Sequence, residues 1–336
     1  MDFDRVRRIV EDNYGIKVSK ITKRKNVYRV RAGFREYCLK VINYEFSHFY
    51  FILSAIKHLD ANGFRGTPKI IPTATYRDYI KFDEKFAYLT EWMEVREADY
   101  DNTNDLILTA KKVAELHKCS KGFIVDSNMK PRVGWGSWTG VFETRLEEIL
   151  DFENKIKEKK NKTEFDITYI RFLNDEIERG MLAIEDLKER SKYNEYMAKE
   201  LMGLGFCHHD LAHHNILVGR NDEISIIDFD YCILDSHLHD VASLCMRAMR
   251  NGKWSIDKYE SITRAYSEDG NGLTKDEEKI VIGFLEFPQD YWQVGLQYYW
   301  EKLDWSEERF MGRLRNYIVD RNGRRRFIEA LKERNK

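Results

Sequence analysis

Proline is scarce in this 336-residue chain. Pro68, Pro72, Pro131 and Pro288 are the only four, and none interrupts residues 132 to 287. Glycine is likewise absent between Gly140 and Gly180. So little punctuation argues against an assembly of short strands and tight turns, and most of the chain is expected to form long helices. Cysteine is sparse too. Cys38, Cys119, Cys207, Cys232 and Cys245 are odd in number, widely spaced and without a C-x-x-C pair, which argues against a disulfide framework or a cysteine zinc site. No apolar run approaches 18 residues, and the opening MDFDRVRRIVEDNYG mixes charges, so neither a membrane span nor a signal peptide is expected. Synthesis and folding in a cytoplasm follow as expectations. Net charge is nearly nil, with Lys+Arg 56 against Asp+Glu 57, so electrostatics give no reason to expect nucleic acid as a partner. What is abundant is apolar mass. Hydrophobic residues at 43% and aromatics at 13% suffice for a core and exclude a disordered chain.

The length suits roughly two to three average domains, or two lobes sharing one cleft. Residues 16–42 contain IKVSKI, NVYRVRAG and REYCLKVI, each alternating with period two, and predict an antiparallel meander. In the third run Tyr37, Leu39 and Val41 share one face, and Cys38, Lys40 and Ile42 the other. An apolar helix, HFYFILSAIKHLDANG, follows with Gly63 placed to cap its end, and strand-like runs recur near 76–82 and 86–92. From residue 104 the period turns helical: positions 106, 110, 113 and 117 of NDLILTAKKVAELHK form a stripe. The densely charged segment 139–190 places Phe142, Leu146, Ile149, Phe172 and Ile177 at helical spacing and reads as a helical hairpin with solvated charged faces. The expected organisation is a small sheet-plus-helix lobe over 1–90 and a larger helical lobe over 99–336, with a cleft between them near residues 91–98.

The chemistry concentrates in GFCHHDLAHHNILVGRNDEISIIDFDY, residues 205–231. His208-His209-Asp210 followed by Asn215 gives H-x-D-x-x-x-x-N, and a strand-like ISII run leads into Asp228-Phe229-Asp230. For phosphoryl transfer each residue type has a task. Asp210 accepts or orients the acceptor hydroxyl's proton, while Asn215 and Asp228 offer hard oxygen ligands to Mg²⁺ on the nucleotide phosphates. Lys40, on an earlier strand, holds those phosphates as a point charge. A competing reading makes His208, His209, His213, His214 and Asp210 a zinc or iron hydrolase site. Adjacent histidines point apart on a helix or strand, and the i, i+4 pair of H-E-x-x-H is missing.

Lys40, HHDLAHHN, IIDFD and the later HDVA together resemble the aminoglycoside phosphotransferase and choline kinase superfamily, which shares the protein-kinase fold. More narrowly, GFCHHDLAHHNIL, DFDYCILDSHLHDVASL and FLEFPQDYWQVGLQYYW resemble the CotS-type bacterial spore coat proteins, over nearly the whole chain. The resemblance implies an α+β, bilobal protein-kinase-like fold with a small antiparallel-sheet lobe and a larger helical one. It implies Asp210 as the catalytic aspartate, Asn215 and Asp228 as metal ligands, and Asp230 as a second acid of D-x-D form. His208 would orient the catalytic loop, and Asp240 would tie that loop to the helix behind it, within residues 205–240. In YLTEWM the Glu91 carbonyl and the Met93 amide would meet the adenine edge. The implied cofactors are ATP (or another nucleoside triphosphate) and Mg²⁺. The implied partners are a small-molecule or coat acceptor and other spore coat proteins. Synthesis would be in the mother cell and deployment in the spore coat, with neither nucleic acid nor membrane as a partner.

Two departures from that pattern bear on turnover. ITKRKNVYRV, at the position of the phosphate-covering loop, has no glycine to let its backbone approach phosphates, although Lys23, Arg24 and Lys25 offer charge there. The helix after Lys40 has no glutamate between Phe46 and Leu59 to pair with that lysine. Lys40 is therefore expected to be held by Asp228. The departures leave a second expectation, a kinase-fold coat protein with little or no turnover. In the aromatic stretch 284–305 helical core is favoured over a quaternary-ammonium cage. For the basic tail 306–336 a solvated helix is favoured over an acid-binding surface.

Overall fold

The structure is a computed structural model that describes residues 3–25, 27–267, 270 and 272–335. Two compact units emerge, residues 1–133 with 204–234, and residues 134–203 with 235–336. This division follows compactness and runs elsewhere than the 1–90, 91–98 and 99–336 lobes expected from sequence, which enter again below as part of a proposal.

The first unit is built on the expected meander. Strands β1 (Lys20–Arg24), β2 (Val27–Ala32) and β3 (Arg35–Ile42) pair antiparallel, and the order β1-β2-β3-β6-β4 is completed by β4 (Ile70–Ile71) and β6 (Lys85–Glu91), with β5 (Ile80–Phe82) also on β6. Asn26, within the glycine-free ITKRKNVYRV segment, lies outside the described residues. One face of the sheet buries Tyr28, Val30, Tyr37 and Leu39 against α1 (Phe3–Tyr14), whose Val6, Val10 and Tyr14 recur every fourth residue. Helix α2 (Phe46–Ala61) ends as its glycine predicts. Gly63 takes φ +87°, its N–H donates to Asp60 O at 3.1 Å, and Phe64 N–H donates to Leu59 O at 2.9 Å. Those two bonds make a Schellman cap, which a left-handed glycine permits without steric cost. After β7 (Arg96–Glu97) and α3 (Thr103–Ser120), residues 204–234 return to this unit. They form β8 (Ile216–Val218) and β9 (Ile224–Ile226), a hairpin that pairs with β7 in a second, three-stranded sheet.

The second unit is helical: α4 (Trp138–Glu158), α5 (Glu164–Glu185) running into a π-turn at Asp186–Arg190, α6 (Tyr193–Met202), α7 (Leu238–Met249), α8 (Ile256–Tyr266), α9 (Lys275–Glu286), α10 (Gln289–Tyr299) and α11 (Glu307–Arg334). The expected hairpin is α4 and α5, but its charges are not all solvated. Glu176 is fully buried, accepting from Tyr317 Oη and from Arg321 Nε at 2.9 Å, and buried Arg179 pairs with Glu286 at 3.2 Å. The tail also departs from a solvated helix. Arg324 is buried and donates to the carbonyls of Leu285 and Phe287, while Arg325 and Arg326 are exposed. Partners on other helices, dozens to more than a hundred residues away, cannot be read from local pattern, and a buried charge survives only when paired. The aromatic stretch is core where it is buried, with Tyr291 stacked on Tyr169 at 4.1 Å and Tyr299 on Phe152 at 5.6 Å.

Asp166 locks the start of α5. Its carboxylate accepts from the Thr163 N–H at 2.9 Å, from Lys159 Nζ at 2.8 Å and from Tyr299 Oη at 2.9 Å. Burial alone would raise its pKa; Lys159 and the other donors outweigh burial and lower it. A depressed carboxylate contributes stability above the ordinary carboxylate range, and that contribution is lost as pH falls through the folded value. Asp166→Asn should therefore cost roughly 1–3 kcal/mol at pH 7 and distinctly less at about pH 2, below the ordinary carboxylate range. Urea midpoints at the two pH values test this, and an equal loss at both would contradict it.

Candidate active site

Lys40 sits in the middle of the meander's third strand, opposite Tyr88 of β6. Its ammonium is brought to both acids of the D-x-D segment, 2.7 Å from Asp228 Oδ1 and 2.5 Å from Asp230 Oδ1. The pairing with Asp228 meets the expectation set by the missing glutamate, since α2 carries none. The pairing with Asp230 is new, because nothing in the motif says which way the second acid turns. Lys40 is only 8% exposed. Burial acts against its charge, and the surrounding anions, chiefly Asp230 and Asp228 at neutral pH, outweigh burial and raise its pKa. The two acids diverge. Burial raises both, but Lys40 carries Asp228 below the ordinary carboxylate range, whereas burial and the Asp228 charge leave Asp230 above it.

The H-x-D-x-x-x-x-N segment closes on itself. Asn215 Nδ2 donates to Asp210 Oδ2 at 2.9 Å and to the Asp210 carbonyl at 3.0 Å, which leaves Asn215 Oδ1 as that side chain's acceptor for a cation. His208 is fully buried. The Asp210 N–H approaches its Nδ1 at 3.3 Å, so Nδ1 is the acceptor and Nε2–H donates to the Ile227 carbonyl at 3.0 Å. That bond ties the loop to the residue just before Asp228. Two non-glycine residues here take left-handed backbone, His209 at φ +70° and Asp228 at φ +68°. Such conformations cost about 1–3 kcal/mol each and cluster where function demands them.

The other candidates are placed as follows. Glu91 is the last residue of β6 and Met93 lies two residues beyond it, in the first unit. Asp240 is buried in the first turn of α7, in the second unit. Lys23 lies over the Tyr28 ring at 5.9 Å, and Arg24 over the Trp92 ring at 5.7 Å. The four loop histidines do not gather as a ligand set among the described residues. Tyr88, the register partner of Lys40 in the sheet, belongs to no motif and was not expected there. Hard oxygens from Asn215 and Asp228 fit Mg²⁺ in kind, as imidazole and thiolate would not.

An antiparallel sheet, a mainly helical remainder and a lysine–acid pair joining strand to loop define a protein-kinase-like fold. Comparison with solved structures agrees. An aminoglycoside phosphotransferase from Alicyclobacillus acidocaldarius is similar with a TM-score of 0.83 at 18% identity, over 96% of this chain and 94% of that one. A spectinomycin phosphotransferase solved with ADP and spectinomycin is similar at a TM-score of 0.66 and 15% identity, over 98% of each chain. The family follows from the sequence itself. Residues 7–331 match the model of the spore coat putative kinase YutH family, and the chain belongs to that family. Spore coat protein S of Bacillus subtilis (strain 168) is 24% identical over 290 residues, which is 84% of this chain and 80% of that protein. The chain is thus a kinase-like protein of a spore coat family. No helix among the described residues is long and apolar enough to cross a membrane.

Proposed function

We propose that this protein is a spore-coat-associated phosphotransferase that moves the γ-phosphoryl group of ATP to a hydroxyl of a small molecule or coat component. The observation that carries the reading is Lys40, buried on β3 and held 2.7 Å from Asp228 and 2.5 Å from Asp230. Around it the domain reading takes residues 1–90 as the nucleotide-covering lobe, 91–98 as the hinge and 99–336 as the acceptor-bearing lobe. The Glu91 carbonyl accepts from adenine and the Met93 N–H donates to it, while Lys40 swings from the acids to the α- and β-phosphates. Asn215 and Asp228, with Asp230 in support, would hold Mg²⁺, which supplies charge neutralisation on the phosphates. Asp210 takes the hydroxyl proton as the acceptor oxygen bonds to the γ-phosphorus and the bond to the β,γ-bridging oxygen breaks, releasing ADP. His208 fixes the loop through Ile227, and the family pattern gives Asp240 a supporting role.

A second reading is a coat scaffold of the same fold with little or no turnover. It is favoured by α2 having no glutamate to position Lys40, whose ammonium both acids occupy instead. Both readings include nucleotide contact, which can be tested directly. ATP with Mg²⁺ at 100 times its dissociation constant stabilises by about 2.7 kcal/mol, a rise in melting temperature of roughly 2–4 °C or somewhat less at this size. A melting curve unmoved by millimolar ATP and Mg²⁺ would count against the proposal.

A further inference from the structure

Arg132 lies in the unpatterned stretch between α3 and α4, directly after Pro131, and the phosphotransferase motifs assign it nothing. Its backbone is fixed from two sides. The Leu234 N–H donates to the Arg132 carbonyl at 3.0 Å, and Val133 bridges Leu234, which draws the segment to the chain leaving the D-x-D turn. Two residues earlier, the Lys130 N–H donates to the Ser47 carbonyl at 3.0 Å, and His48 Nδ1 meets the Lys130 carbonyl at 3.1 Å, which draws it to the start of α2. Between these ties the guanidinium lies against two tyrosine rings, 5.7 Å from the centroid of Tyr44 and 5.2 Å from that of Tyr231. Tyr231 directly follows Asp228-Phe229-Asp230. The guanidinium is thus one aromatic ring away from the turn that carries both acids paired with Lys40.

A guanidinium held over aromatic rings carries five N–H donors in a planar fork, the geometry that grips a carboxylate or phosphate through two parallel bonds. No carboxylate pairs with Arg132 among the described residues. Lys40, by contrast, is already occupied by two acids. We propose that Arg132 is a specificity-determining residue of this site, reading a carboxylate or phosphate group on the phosphoryl acceptor, so that the substrate class is an acidic hydroxy compound. The inference rests on the phosphotransferase reading for the word acceptor, whereas the binding of the anion stands apart from it.

The test uses the full chain with three probes that share one carbon skeleton: glycerol, glycerol 3-phosphate and glycerate. Binding is followed by calorimetry in the presence of a non-hydrolysable ATP analogue and Mg²⁺, and turnover by ADP release. At least one acidic probe is expected to bind ten-fold or more tightly than glycerol, glycerol 3-phosphate winning if a phosphate ester is read and glycerate if a carboxylate is. Arg132→Gln should collapse that preference at least ten-fold. Arg132→Lys, which keeps the charge and loses the fork, should restore only part of it. Melting curves of both variants establish that they fold. No preference for either acidic probe, or a preference that persists in Arg132→Gln, would overturn the inference. Anion-selective binding that Arg132→Gln removes, with no ADP release from any probe, would uphold it and count against phosphoryl transfer to these probes alone.

Discussion

Asp210→Asn should lower acceptor-dependent ADP release by about 10²–10⁴-fold, the range that removing a general base commonly costs, with ATP affinity nearly unchanged. The variant suits the question because it alters charge more than shape. Asp210 Oδ2 accepts from Asn215 Nδ2 at 2.9 Å, and the amide oxygen of an asparagine can accept the same bond. The bonds from Asn215 Nδ2 to the Asp210 carbonyl and from the Asp210 N–H to His208 Nδ1 do not involve the altered group. The loop should stay in place while the proton acceptor is lost. Calorimetry with ATP and Mg²⁺ checks binding, and ADP release across a panel of hydroxylated acceptors checks turnover. Equal turnover in both proteins, with binding intact, would reject the enzyme and leave the scaffold.

What the sequence made legible follows the reach of each signal. Period-two alternation in 16–42 and the apolar run after it are local, and β2, β3 and α2 form where they are expected, whereas β1 begins at Lys20, four residues beyond the start of the IKVSKI run, and takes up part of the expected loop. The family was legible because GFCHHDLAHHNIL and DFDYCILDSHLHDVASL are long, specific strings. Strands β4 and β7 have two residues each, too few to show any period. Helix α1 was hidden because only Val6, Val10 and Tyr14 of its twelve residues are buried, among arginines and acids that mask the stripe. The polar network of Glu176, Arg179 and Arg324 was illegible for another reason: burial there depends on partners from α9 and α11, and composition alone cannot separate a paired interior charge from a solvated one. At the site, the missing glutamate on α2 did point Lys40 towards Asp228. That Asp230 would join depends on the left-handed turn at Asp228, a backbone choice no residue in the motif demands.

Lys40→Met should separate what the lysine does for the fold from what it does for nucleotide. Methionine keeps most of the aliphatic stem and its packing and removes only the cation. Two carboxylates that each lay within 2.7 Å of one ammonium are then left facing each other. Removing one partner of a fully buried pair costs about 3–5 kcal/mol. The Asp228 side chain is 43% exposed, so water screens part of the repulsion and a loss of roughly 1–3 kcal/mol is the better expectation. Asp230→Asn in the same chain removes the repelling partner and should recover most of that loss, a coupling that only neighbouring groups show. Millimolar Mg²⁺ should stabilise Lys40→Met more than the wild type, because the ammonium no longer competes for the carboxylates. ATP affinity should nonetheless fall at least ten-fold, since the phosphates lose their own point charge. Urea denaturation of wild type, Lys40→Met, Asp230→Asn and Lys40→Met/Asp230→Asn, each with and without Mg²⁺, measures the first three effects, and calorimetry the fourth. Strictly additive single and double losses, with no extra response to Mg²⁺, would show that Lys40 does not hold the two acids together. Unchanged ATP affinity in Lys40→Met would remove the lysine from the nucleotide site, and with it the main physical support for phosphoryl transfer.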